Sequence, residues 1–360
     1  TTGANNVSVG VATLVENNGD YNTAIGYQTL NANTTASNNT AVGKHALSVN
    51  TTGASNVAVG VNALDANTTA SQNTAIGTSA LSANTDGTYN TAVGANAMLV
   101  NTTADQNTAV GALAMDANTT GANNTALGTS ALGANTTASN NTAIGTNALI
   151  LNTTGADNVA VGMSALGANT TADDNVAVGQ AALLANTTGH SNTAVGQKSL
   201  EANVTSAHNT AVGHEALLVT TGGSNTGVGA DALIANIGGG SNSALGKGAG
   251  SRVNTGDNNV CLGASAGDAI TSGSDNIMIG VGINVSAAGN DNSIGLGQNF
   301  GVASNDFSFG KAGNIVTCDF DADADFARSS DIRLKDNIES TEIGLDFINL
   351  LRPVKFTFKD

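Results

Sequence analysis

N-T-A-L-G-T-S-A-L-G-A-N-T-T-A-S-N, from Asn124 to Asn140, is restated along almost everything before residue 300. Its opening N-x-x-[VIL]-G recurs at Asn6, Asn22, Asn39, Asn56, Asn73, Asn90, Asn107, Asn124, Asn141, Asn158, Asn175, Asn192, Asn209, Asn225, Asn242, Asn259 and Asn276. The step is 17 residues, with 16 at Asn6 to Asn22 and at Asn209 to Asn225, and a looser copy starts at Asn292. A fixed period of this kind is the signature of a stacked repeat. Within a copy the pattern has period 2: Thr40 and Val42 face one way and Ala41 the other, as in a short strand. Gly43 permits a turn, Ala46 and Leu47 form a second short apolar element, and Asn50 to Gly53 are turn-forming. The expected unit is one coil with two short strands and two turns, and Val42, Val59, Ile76 and Val93 are expected inside with Leu47, Leu64 and Leu81. One Val and one Leu cannot offset the ordering of 17 residues, so a coil must stack on its neighbours. The fold class is therefore all-β, a parallel β-solenoid or β-roll of about 18 coils.

Asn also recurs at Asn33, Asn50, Asn67, Asn84, Asn101, Asn118, Asn135, Asn152, Asn169, Asn186 and Asn203. Many of these sit in N-T-T, which matches a glycosylation acceptor. Stacking puts them in register, and an amide ladder along the turn is the expectation.

Of 360 residues, 45 are Gly, one is Pro, none is Trp and 3% are aromatic. A globular enzyme of this length normally carries a thick aromatic core. The net charge of −16 lies wholly in residues 1–326, with 5 basic and 21 acidic side chains; residues 327–360 hold 6 of each. An acidic body argues against nucleic acid as a partner and for a mutually repelling surface. No apolar run approaches a membrane span, so no membrane insertion is expected. Thr1 does not open a signal peptide, and the chain reads as a processed or partial product. Cys261 and Cys318, 57 positions apart, read as free thiols, although spacing does not exclude a bridge. His45, His190, His208 and His214 fall at different coil positions, and no carboxylate pair recurs in a cleft-like place. No cofactor and no metal are expected. Asp319, Asp321, Asp323 and Asp325 alternate, but Phe326 and Ile332 stand where a calcium loop needs Gly and Glu, which leaves a solvated acidic strand edge.

Three regions are expected: a repeat shaft over 1–297, a neck or cap over 298–328, and a different domain from 329 to 360. From about Thr220 the turns change, as Gly222, Gly223 and Gly238 to Gly240 replace N-T-T. Phe300, Phe307, Phe309, Phe320 and Phe326 predict a better-cored cap. Beyond Arg328, Thr341 can cap a short helix bearing Ile343, Phe347, Ile348 and Leu351; Pro353 stops it, and Val354, Phe356 and Phe358 alternate as a strand, giving a small α+β segment.

Two family resemblances follow from these residues. Asn39 to Gly43 (N-T-A-V-G) and Asn175 to Gly179 (N-V-A-V-G) resemble the head repeat of trimeric autotransporter adhesins, which implies a parallel β-roll assembled as a homotrimer over about residues 6–297. Ser329 to Ile338 (S-S-D-I-R-L-K-D-N-I) is similar to the opening of the intramolecular chaperone domain that ends phage endosialidases, tail fibres and neck appendages. Leu351 to Phe356 (L-R-P-V-K-F) is similar too, and Phe309 to Val316 resembles the stretch that often leads into that domain. Residues 330–360 would be only its beginning. The resemblance implies trimerisation, assistance to folding of the fibre, and self-cleavage between Ser329 and Ser330, with Ser330 as nucleophile and Lys335 as its base. A serine hydroxyl needs such a base, and burial can lower a lysine pKa far enough to supply one.

The implied protein is a structural fibre of a phage or phage-like particle, located in the virion and outside the cell. Its implied partners are further copies of itself, other virion or tail proteins and a host surface receptor. Alternatives are a bacterial surface adhesin head and an ice-binding solenoid. The latter calls for a clean T-x-T face, whereas Thr51 and Thr52 and their equivalents sit in turns.

Overall fold

The computed structural model describes residues 2–321 and 323–328. Ser329, Ser330, Lys335 and the expected helix and strand between residues 341 and 358 lie outside them. Among the described residues there is no helix. One three-residue strand per coil, from β1 (Val7–Val9) to β17 (Ile277–Ile279), pairs in parallel with the strand of the next coil, and β19 (Ile294–Gln298) continues the series to eighteen. Register is strict: between β7 (Thr108–Val110) and β8 (Thr125–Leu127), Thr108 lies over Thr125, Ala109 over Ala126 and Val110 over Leu127. The stack is therefore a rod roughly 80 Å long at the usual strand spacing.

The strand alternation is as expected, but its inner face is the opposite one. Ala41, Ala58, Ala75, Ala92 and their equivalents are fully buried, whereas Val42, Val59 and Val93 are only partly buried and Ile76 points outward at 40% exposed. Leu47, Leu64 and Leu81 are inside, as expected. Space decides this. At Gly227, in the same row as the buried Ala residues, an added Cβ would already lie 3.3 Å from Leu217 Cγ. A row one methyl deep fills the gap between strand and opposite corner, and a Val there would be overpacked.

The second expected strand is also absent. Ala131 and Leu132 lie in a turn, and Ser130 and Leu132 have φ of 54° and 55°. Left-handed backbone costs an L-residue about 1–2 kcal/mol, and full burial of a Leu side chain contributes about 1.5–3 kcal/mol. Burial therefore holds Leu132 and its equivalents in a conformation that their own backbone disfavours. The turn still stacks, since Leu132 N donates to Ala148 O at 2.9 Å. Gly128, at φ 139°, closes the strand, and a Cβ there would lie 2.6 Å from Gly145 O of the next coil.

Two buried Asn rows bind the coils. Asn135 Nδ2 donates to Asn118 Oδ1 at 2.8 Å and to Ala138 O at 3.0 Å, which is the expected amide ladder. The Asn that opens each copy forms a second row: Asn124 Nδ2 donates to Ala138 O at 2.9 Å, and Asn124 Oδ1 accepts from Asn141 N at 2.9 Å. The first ladder stops at Asn203, because Thr220 takes its place in the next coil. Asn203 Oδ1 and both side-chain polar atoms of Asn236 are buried without a protein partner. Beyond Asn236 the row becomes apolar, with Val253 and Ile270 fully buried. Gly250 and Gly267 replace Leu in the same coils, so volume lost at one corner is refilled at the other.

Near the C-terminal end β18 (Asn284–Val285) pairs with β20 (Gly301–Val302), and β21 (Asp306–Lys311) lies parallel to β19. Then β22 (Asn314–Asp319) and β23 (Asp323–Arg328) add antiparallel, so the solenoid's open edge is covered by a meander. Of its aromatic side chains Phe300 is buried and Phe307 packs on Phe309 with ring centroids 5.7 Å apart, while Phe309 and Phe320 are 40% and 53% exposed. Nor do Asp319 and Asp321 share a strand with Asp323, for the chain turns between them.

Candidate functional site

Of the expected site residues, Ser330 and Lys335 lie outside the described residues, and so does the bond after Ser329. What the described residues do carry is one continuous outward sheet face. The third strand residue is aliphatic in all eighteen coils, from Val9 through Ile25, Val110, Leu127 and Leu245 to Leu296. The first is Thr, Ser, Val or Ile throughout, and neither row holds a charged residue. Leu127 is 46% exposed and Leu245 50%. A strand presents its first and third residues about 7 Å apart, so the face is a narrow uncharged stripe running the whole rod, with one row aliphatic and the other largely Thr. An uncharged face of this length on an acidic chain is a candidate interaction surface. The outward pattern is Thr, Ser, Val or Ile followed two residues on by Val, Ile or Leu, not the T-x-T of the ice-binding alternative.

The stripe has local relief. Where Thr226 and Ser243 stand beside Leu245 and Leu262, the short side chains leave a shallow apolar dip, also edged by Val228 and Val260. Within the coils the charged side chains lie away from the stripe, on turns and loops. Asp65 and Asp116 are held above the ordinary carboxylate range, chiefly by burial. In the terminal meander, burial and then the charges of Asp319 and Asp321 raise Asp306. Cys261 and Cys318 are buried free thiols. Cys261 occupies the inward Ala row, and burial, followed by the charge of Asp268, pushes its pKa up to about 12. A thiol so protonated is not a nucleophile.

The histidines are less scattered than their spacing implies. His190 and His208 sit on neighbouring coils with ring centroids 5.0 Å apart, and His45 meets the edge of Tyr27 at 5.6 Å. The stripe itself was hidden from hydrophobicity, which favours Val over Ala as the inner residue. The signal that points the right way is steric: the position is Ala, Ser or Gly in every coil that keeps Leu or Met at the opposite corner, and Cys261 enters the row only where Gly267 has replaced that Leu.

Residues 330–360 match the family model described as chaperone of endosialidase. No curated protein matches the chain, and no solved structure matches it. A β-solenoid thus precedes a segment matched to an intramolecular chaperone family.

Proposed function

We propose that the chain is the shaft of a homotrimeric fibre from a phage or phage-like particle, matured by chaperone-assisted trimerisation and self-cleavage. The observation that carries this is the succession of a long β-solenoid and a chaperone-family match at residues 330–360. The uncharged stripe supports the assembly. At roughly 80 Å by 10 Å it offers about 800 Å² per chain, the area a stable interface uses on each partner. With a net charge of −16, chains repel unless they meet on an uncharged face. Other virion or tail proteins and a host surface receptor would be the further partners. The few aromatic side chains leave little to stack on sugars, which favours recognition elsewhere in the particle.

In the proposed cleavage, Lys335 takes the proton of Ser330 Oγ, which attacks the carbonyl carbon of Ser329. The peptide C–N bond breaks, and the proton passes to the freed amine of Ser330. Water then hydrolyses the ester to leave a carboxylate on Ser329. Desolvation in the trimer would lower the Lys335 pKa enough for this role. The test is expression of the gene's full reading frame with chain mass followed. Wild type should give two bands, and S330A and K335A one each. A wild-type chain that forms a native trimer yet stays whole, or an S330A chain cut at the same bond, overturns the assignment.

A further inference from the structure

We propose that His214, Glu215 and Asp231 form a binding site for a first-row divalent transition ion of the Zn²⁺ class, joining two successive coils. β13 (Thr210–Val212) ends at Gly213, and His214 and Glu215 follow at the corner. Because the step from Asn209 to Asn225 is 16 residues, Asp231 stacks on Glu215 in the next coil. Both have left-handed backbone, at φ 53° and 61°, and Asp231 N donates to His214 O at 3.0 Å. The corner geometry thus fixes where all three side chains start.

The donor atoms of the three all lie within 4.8 Å of one another. Around an ion with bonds of about 2.1 Å, tetrahedral ligands stand about 3.4 Å apart. Closing that difference calls for side-chain rotation, and the site opens to solvent on the His214 side: that side chain is 53% exposed and that of Glu215 27%. His214 Nε2 already lies 3.8 Å from Glu215 Oε1. One imidazole with two carboxylates suits Zn²⁺ and its first-row neighbours; an all-oxygen set would suit Ca²⁺ or Mg²⁺. The exposed side leaves room for water to complete the coordination.

The corner's other occupants leave the carboxylates to each other. Lys198, in the preceding coil, pairs with Glu201 at 3.8 Å, and the following coil has Gly248 at this position. Ala230 stands over His214, and Lys247 follows one coil further on. Two stacked carboxylates repel, and a cation between them turns that repulsion into a cross-link.

The place along the rod is informative as well. The Asn ladder is interrupted at Thr220, in the same coil as His214 and Glu215, and Asn203 and Asn236 on either side are left with unpartnered atoms. An ion across Glu215 and Asp231 would join two coils where the internal amide cross-link is missing. Sequence spacing conceals the site, because its ligands come from separate coils.

The test uses the full chain, freed of metal by a chelator and titrated with Co²⁺, whose visible absorption reports coordination, and then with competing Zn²⁺. One ion per chain should bind, and Zn²⁺ should raise the melting midpoint. Loss of an outer-shell partner already weakens metal sites tenfold or more, so His214→Gln and Asp231→Asn should each weaken binding at least about tenfold. Circular dichroism and sedimentation of these near-isosteric variants should match wild type. His190→Ala, which removes the other close histidine pair, should leave binding intact. The proposal fails if wild type binds neither ion, if D231N binds as wild type does, or if binding depends on His190.

Discussion

Two adjacent substitutions in β7, Ala109→Asp and Val110→Asp, place the same charge on opposite faces of one strand. Ala109 has no exposed surface, and its row already sits at van der Waals contact with the opposite corner. A carboxylate there meets two costs: overpacking of about 1–3 kcal/mol and burial of an unpaired ion at several kcal/mol more. The sum, roughly 4–8 kcal/mol, is comparable with the whole stability of an ordinary domain. In a one-dimensional stack it falls on two or three coils and should split the rod there. Val110 is only partly buried, so V110D should cost a single chain no more than about 1 kcal/mol. In an assembly closed on the stripe, the same charge faces another chain without a partner and should weaken association strongly. The assay is thermal melting by circular dichroism together with analytical ultracentrifugation at several concentrations. A109D should lose cooperative melting at every concentration, whereas V110D should keep its solenoid and shift toward monomer. If V110D unfolds as A109D does, the inside and outside of the coil have been misassigned. If V110D neither unfolds nor dissociates, the stripe is not where chains meet.

Gly128→Ala should destabilise by about 2–6 kcal/mol, from a backbone conformation that only Gly adopts readily and a Cβ 2.6 Å from Gly145 O. Gly133→Ala, whose added Cβ would meet Ser130 O at 3.3 Å and the Asp116 carboxylate at 3.5 Å, should melt close to wild type, and equal melting of the two variants would refute the account. Asp306 has its folded pKa raised, so folding binds the proton more tightly: its contribution is fully present below the unfolded pKa and is lost as pH rises through the folded pKa. Asp306→Asn should therefore stabilise the terminal meander at neutral pH and flatten the acid side of its melting-versus-pH curve; an unchanged curve would refute this. Cys261 should resist a thiol reagent at pH 8 in the native protein and react at once when unfolded, and fast native labelling at that residue would contradict its buried placement.

The 17-residue period by itself requires stacked coils, because one copy buries too little to stand alone. T-A-V supplied a strand with alternating faces, and an Asn at a fixed place in each copy supplied the ladder. Which face turns inward was not decidable from the pattern, since a period of 2 is symmetric between its faces and hydrophobicity favoured Val42 over Ala41. The approach of the opposite corner settled it by leaving room for one methyl. The left-handed Leu corners were equally hidden, because Leu by itself disfavours that backbone and only the neighbouring coils hold it there. The exchange of Leu and Asn for Gly with Val253 or Ile270 becomes intelligible when both corners are seen to fill one cross-section. His214, Glu215 and Asp231 meet for a related reason: a 16-residue step stacks Asp231 on Glu215, and proximity between coils depends on where each corner falls, which spacing along the chain does not state.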